Sequence, residues 1–315
     1  MGTKKQKKGV ETTYMNLQSL VEKATRIENS TVAVAAAEDK EVLGAVTMAV
    51  EKKMADFLLF GDKEEILSLL EEVAPHLISH SNIKIKHAFS PQKAAELAVK
   101  AVKENEAGVL MKGNVPTAVI LKAVLNKEWG LRTGNVLSHV AAFEVSGFER
   151  LTFITDAAMN LAPDLQQKAQ IIENAVSVAR SIGVDMPKVA PIAAVEVVNP
   201  AMQATVDAAS LTMMNHRGQI RHCIVDGPLA LDNAVSHHAA EHKGIESSVA
   251  GQADILLVPN IETGNALYKS LIYFAQAKVG AVIAGAKAPI VLTSRADSAE
   301  SKLYSLALAI CSASK

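Results

Sequence analysis

From Leu17 to Leu125 the chain repeats one pattern: a short apolar run, a polar break, then a run of helical periodicity. Strands are expected over 31–36, 57–60, 83–85 and 108–111. Helices are expected over 17–27, 41–52, 63–73, 91–103 and about 116–125. Strict alternation of this kind leaves few folds open. Consecutive strands separated by a helix run parallel, with right-handed crossovers, so the chain reads as α/β with a mostly parallel sheet. Pro116 near a helix start fits, because its missing donor would be unsatisfied there anyway.

The pattern changes after Leu131. Two strand-like runs, 136–145 and 151–155, flank Ser146-Gly147-Phe148-Glu149 and read as an antiparallel hairpin. A long helix is expected over 163–182, then further strands at 189–195, 220–225 and 254–258, and a helix over 266–275. A second domain is expected over 136–288, after a first beginning near residue 15. Lys4, Lys5, Lys7 and Lys8 lie in a basic start, 1–14, with no apolar region behind it; it reads as a flexible solvated tail.

Composition narrows the function. Hydrophobic residues make up 49% of the 315 residues, but aromatic ones only 4%. Ala, Val, Leu and Ile must fill the core, which suits helices packed on a parallel sheet. The net charge of −1 supplies no global field for nucleic acid or an anionic membrane, so any phosphate recognition is local. No apolar run reaches the ~18 residues of a spanning helix. Cys223 and Cys311, far apart and the only cysteines, fit a reducing cytoplasm and no disulfide framework.

Three strand-end junctions hold candidate chemistry. Pro259-Asn260-Ile261-Glu262-Thr263-Gly264-Asn265 leads into Tyr268 and Lys269. It reads as a loop opening onto a helix start, where amides can receive an anion and Gly264 admits a close approach. Thr293-Ser294-Arg295-Ala296-Asp297 follows a second apolar run. A hydroxyl beside a guanidinium can hold an oxyanion, although Ser294 and Arg295 by themselves equally fit a helix N-cap and a surface arginine. Lys112-Gly113-Asn114 is the third junction, with Lys122 further along the next helix. Lys112 and Lys122 both also read as surface lysines. Asp156 and Asn160 follow the hairpin at a strand end. Arg132 and His139 read as structural. His238-Ala239-Ala240-Glu241-His242 has the two-histidine spacing of a zinc helix but lacks an evident third ligand, so no metal is expected. Neither a glycine-rich dinucleotide loop nor a Walker lysine motif is present.

Pro-Asn-x-Glu-x-Gly-Asn-x-x-Tyr-Lys from Pro259 and Pro-x-x-x-x-Ser-Arg from Pro289 resemble the phosphate acetyl/butyryltransferase family. The resemblance covers most of the chain from about Met15. Ala194–Met202, Asp226–Ala234 and the Thr-Ser-Arg-Ala-Asp ending are more similar to the butyryl branch than to the acetyl branch. It implies transfer of a butyryl or branched short-chain acyl group between coenzyme A and orthophosphate, with coenzyme A as substrate and no cofactor. It implies two α/β/α domains with a cleft between them, as in isocitrate and isopropylmalate dehydrogenases. On that pattern 15–135 plus 289–315 form the first domain, and relatives pair as homodimers or multiples of dimers. Ser294 then stabilises charge on the carbonyl oxygen, and Arg295 binds phosphate or the acyl carbonyl. The acetyl branch carries an aspartate base seven residues after the serine. Here that position is Ser301, so Asp297, or else Glu300, is expected to take the task. Asn260, Glu262, Gly264, Asn265 and Lys269 form one substrate wall. Lys112, Gly113, Asn114, Lys122, Asp156 and Asn160 complete the expected set. An acetyl-preferring enzyme and a non-catalytic coenzyme A or acyl phosphate sensor are the alternatives; an oxidoreductase would need motifs that are not found.

Overall fold

The computed structural model describes residues 15–293 and 297–313. The basic start and the pair Ser294 and Arg295 lie outside the described residues. After α1 (Leu17–Ala24) come four βα units: β1 (Thr31–Ala35) with α2 (Lys40–Glu51), β2 (Asp56–Gly61) with α3 (Lys63–Val73), β3 (Ile83–His87) with α4 (Pro91–Lys103), and β4 (Val109–Lys112) with α5 (Thr117–Val124). Local chemistry sets these starts. Asp39, Asp62 and Ser90 accept backbone N–H bonds from the first turns of α2, α3 and α4. Pro91 occupies a first-turn position of α4, where a missing donor costs nothing.

The hairpin follows as β5 (Ser138–Glu144) and β6 (Thr152–Thr155), antiparallel, with Ala141 opposite Ile154. Then come α6 (Leu165–Ser181), β7 (Lys188–Pro191), α7 (Gln203–His216), β8 (Ile224–Val225), α8 (Leu231–Val235), α9 (His237–His242), β9 (Ile255–Leu257), α10 (Ile261–Tyr273), β10 (Lys278–Ala284), β11 (Ile290–Val291) and α11 (Ala299–Ala313).

Eleven strands form one sheet in the order β3-β2-β1-β4-β11-β10-β5-β6-β9-β7-β8. All neighbours run parallel except at β11–β10, β10–β5 and β5–β6. Residues 31–112 and 290–291 supply one half of the sheet, and residues 138–284 supply the other. The halves meet at β10, a strand the sequence pattern left unassigned. It pairs along its whole length with β5, from Lys278↔Glu144 to Ala284↔Ser138.

With β11 the same strand shares only Ile283↔Ile290. Beyond that point helix α11 comes alongside. The Ala281 N–H donates to Ser305 Oγ at 2.9 Å. A Cβ at Gly280 would lie 2.8 Å from the Tyr304 carbonyl, so only glycine lets helix and strand come this close. The sheet therefore splits where the halves join, the kind of switch point at which α/β sheets take ligands.

The two faces of the sheet differ. On one, a continuous apolar cluster runs from Leu17 and Phe57 through Phe153 to Leu306 and Ile310. Most of the remaining buried apolar residues fall in two separate clusters, one around Phe60, Val99 and Ile120, the other around Phe143, Ile192 and Leu256. A cavity opens between them.

Candidate active site at the split of the sheet

The cavity holds about 480 Å³, the size of a small-molecule site. Residues from both halves line it. Lys112, Val115 and Thr117 come from the β4–α5 junction, and Leu292, Thr293 and Asp297 from the segment after β11. His139 comes from β5, Ala157 to Met159 from the loop after β6, and Asn265, Tyr268 and Lys269 from α10. Val279, Ala281 and Ile283 of β10 form an apolar floor, and Ser301 and Ser305 of α11 close one side.

Of the expected residues, Lys112, Asn265, Lys269 and Asp297 meet in this cavity. Lys112 is buried, and its Nζ donates to the Gly113 carbonyl at 3.0 Å. Lys269 is exposed, with its ammonium 5.8 Å from the Tyr268 ring centroid and 6.0 Å from that of Tyr273.

The Pro259 segment differs from its expected shape. Helix α10 begins at Ile261, five residues before the expected start, so Glu262, Gly264 and Asn265 are helical. Asn260 is the N-cap: its side chain accepts from Thr263 N–H at 3.0 Å. Ile261 N–H donates to the Leu161 carbonyl and Gly264 N–H to the Asn260 carbonyl. Those three amides are already engaged within the chain. Gly264 is there for packing. A Cβ would sit 2.8 Å from the Asp156 carbonyl oxygen and 2.9 Å from Ala157 Cα. The glycine lets α10 press against the loop that forms a cavity wall.

Asp156 and Asn160 brace that loop. The Asp156 carboxylate accepts from the N–H groups of Ala158, Met159 and Asn160 and from Asn160 Nδ2. Asn160 Nδ2 also donates to the Leu137 carbonyl at 2.8 Å. The remaining expected residues among those described do not line the cavity. Gly113 and Asn114 donate their N–H groups to the carbonyls of Ala35 and Ala36. Lys122 and Glu262 are exposed. Glu300 is also exposed; its carboxylate accepts from the Tyr304 hydroxyl at 2.6 Å and from Lys278 at 3.3 Å, and these partners hold its pKa below the usual carboxylate range. Asp297 is thus the one of the two expected bases that reaches the cavity.

Three cavity features escaped the sequence reading. His139 is 7% exposed, and its Nδ1 is buried with no hydrogen-bond partner. Burial pushes its pKa down, against the opposing pull of Asp156 and Asp297. Thr293, also 7% exposed, has an equally unpartnered buried hydroxyl. Tyr268 stands edge-on to His139, with centroids 5.7 Å apart, and to Phe143 at 5.1 Å; burial raises its pKa, with Asp297 adding to the shift. Nearby, the buried ammonium of Lys302 donates to the Asp297 carbonyl and so anchors the segment before α11.

These residues sit where the three sequence junctions converge. The family model for phosphate acetyl/butaryl transferase matches residues 70–310. The chain belongs to this family. A Bacillus subtilis protein named probable phosphate butyryltransferase is 60% identical over 94% of this chain and 98% of its own. A Thermotoga maritima phosphate acetyltransferase is 47% identical over 93% of this chain and 98% of its own. The crystal structure of a branched-chain phosphotransacylase from Enterococcus faecalis superposes with a TM-score of 0.79 and 37% identity, over 90% of this chain and 99% of that one.

Two other motifs lie away from the cavity. Glu196 and Asn233, from the two butyryl-branch segments, meet directly: Asn233 Nδ2 donates to Glu196 Oε1 at 2.6 Å. His238 and His242 stack on the six-residue α9 with centroids 6.3 Å apart. Among the described residues no group of three or more ligand-type side chains is placed to hold a metal ion.

Proposed function

We propose that this chain catalyses acyl-CoA + phosphate = acyl phosphate + coenzyme A, with butyryl or a branched short-chain acyl group preferred. The observation that carries the reading is the cavity at the split of the sheet, in a chain of this family. It combines two lysine ammonium groups with a floor of Val279, Ala281 and Ile283. Lys112 and Lys269 attract the phosphoryl group, and the apolar floor receives the acyl chain. Arg295 binds phosphate or the acyl carbonyl, and Ser294 supports the charge that develops on the carbonyl oxygen. The acyl group arrives already activated, as its coenzyme A thioester, so the reading calls for no resident metal or cofactor.

An acetyl preference is the second reading, favoured by the 47% identity to a protein named phosphate acetyltransferase. One methylene in an apolar pocket is worth only about 1–3 kcal/mol, so the preference is one of degree. A cytoplasmic location and assembly into dimers or multiples of dimers complete the proposal. Met186, Val197, Val198 and Met213, exposed apolar side chains of the 136–288 half, are the surface from which such pairing would start.

The test is phosphate-dependent release of coenzyme A from butyryl-CoA, isobutyryl-CoA and acetyl-CoA. Faster turnover with the four-carbon substrates is expected. Correctly folded protein with no turnover on any of them would overturn the transferase reading. Sedimentation velocity reads the assembly.

A further inference from the structure

We infer that His139 is the proton acceptor for the coenzyme A thiol, held ready as a neutral imidazole in the wall of the cavity. This rests on the transferase reading and names its missing base. A buried polar atom without a partner is costly, about 1–3 kcal/mol, and native proteins seldom keep one without a use. Two such atoms, His139 Nδ1 and Thr293 Oγ1, belong to residues that line this one cavity. Neither atom has a hydrogen-bond partner among the described residues.

The chemistry of the ring fits the task. A thiol of pKa about 8.5 is best served by a base that is unprotonated at neutral pH and stronger than a typical carboxylate. Burial keeps His139 neutral. The charged and titratable groups around it favour the cation once it forms: Asp156 on the loop after β6 and Asp297 before α11. Tyr268, its pKa raised, stays protonated and adds no charge, while Lys112 and Lys269 line the same cavity and counter the carboxylates. Ser301, where the acetyl branch carries its aspartate, also faces this cavity but offers only a hydroxyl. A ring nitrogen supplies what that serine lacks.

In the direction of acyl-CoA formation the sulfur–carbon bond forms and the carbon–oxygen bond to phosphate breaks. The thiol proton passes to a ring nitrogen of His139, and phosphate leaves with the electron pair. The imidazolium then returns its proton to the departing phosphate or to water. In the reverse direction the neutral ring takes the proton of the attacking phosphate and gives it to the thiolate.

The test is butyryl phosphate plus coenzyme A, followed across pH for the parent and for His139→Gln. The parent is expected to lose kcat/KM on the acid side with an apparent pKa below about 6.5. His139→Gln is expected to lose roughly 10²–10⁴-fold in kcat, to keep its KM for butyryl phosphate within a few-fold, and to lose the acid limb. A folded variant with near-parent rate, or with the limb intact, overturns the assignment. A second measurement needs only the parent. An imidazolium pKa falls on warming, whereas a carboxylic acid pKa barely moves, so an acid limb that stays put with temperature assigns the base to Asp297 instead. Parent protein without turnover would sink the transferase reading itself, an outcome distinct from either of these.

Discussion

His139 also couples the site to stability. In the unfolded chain its ring titrates near ~6.5. In the folded chain burial lowers that value. The folded state therefore binds fewer protons, so the stability this residue contributes is present above ~6.5 and is lost as pH falls toward the lower folded value. Urea unfolding between pH 7.5 and 5 should show a decline that His139→Gln flattens, by up to about 1.4 kcal/mol per pH unit. Identical slopes in parent and variant would mean that the ring is no less protonated in the folded chain than in the unfolded one. Gly264 is the second sensitive position. Gly264→Ala places a methyl group 2.8 Å from both the Asp156 carbonyl oxygen and Val258 Cγ2. An overpacking loss of about 1–3 kcal/mol is expected in thermal unfolding, with a drop in turnover because the displaced loop forms a cavity wall. The cysteines should be silent. Burial pushes both Cys223 and Cys311 up to about 11, so both remain thiols at neutral pH and native protein should react slowly with thiol reagents.

At the scale of elements, α6 and α7 are tied by a buried ion pair, Lys168 Nζ to Asp207 Oδ2 at 2.6 Å. Gln203 donates to the other carboxylate oxygen at 2.8 Å. Removing one charge leaves the other buried without its partner. Lys168→Met is therefore expected to cost about 3–5 kcal/mol in chemical denaturation; a loss below 1 kcal/mol would mean that Gln203 and water suffice. Strand β10 offers a test of acyl choice. Ala281→Leu fills part of the apolar floor and should reduce turnover of butyryl-CoA more than that of acetyl-CoA. An equal effect on both would place the acyl chain elsewhere. The βα units up to α5 were legible in the sequence because each strand is a short apolar run and each helix is amphipathic, most with a capping residue. Strand β10 is as apolar as these but escaped assignment, since no turn motif sets it off from the end of α10. The start of α10 was misplaced for a different reason. Gly264 and its polar neighbours look like a loop, and only the approach of Asp156 and Ala157 reveals why a helix needs a glycine there. His139 lies in an apolar run, where a lone histidine reads as a satisfied core residue; its want of a partner exists only in three dimensions.

For the whole molecule the decisive element is α11. Residues 302–311 are all buried. The helix packs on α1, α2, β4 and β11 from one half and on β10 and α6 from the other. Chains of this size often unfold in stages, half by half. Here the halves share one sheet, and each would lose a face of its core if the other unfolded and took α11 with it. Leu306, fully buried in the continuous cluster of one sheet face, reports on this coupling. Leu306→Ala is expected to cost about 2–5 kcal/mol and to shift one cooperative thermal transition to lower temperature without splitting it. Calorimetry checks both points. Two resolved transitions in the parent, or a variant in which only one moves, would mean that the halves fold independently and that the cavity between them is set by docking rather than by a common core. A single shifted transition would mean that the geometry around His139, Lys112 and Asp297 is built by folding itself, because the sheet splits and α11 enters the gap in the same cooperative step.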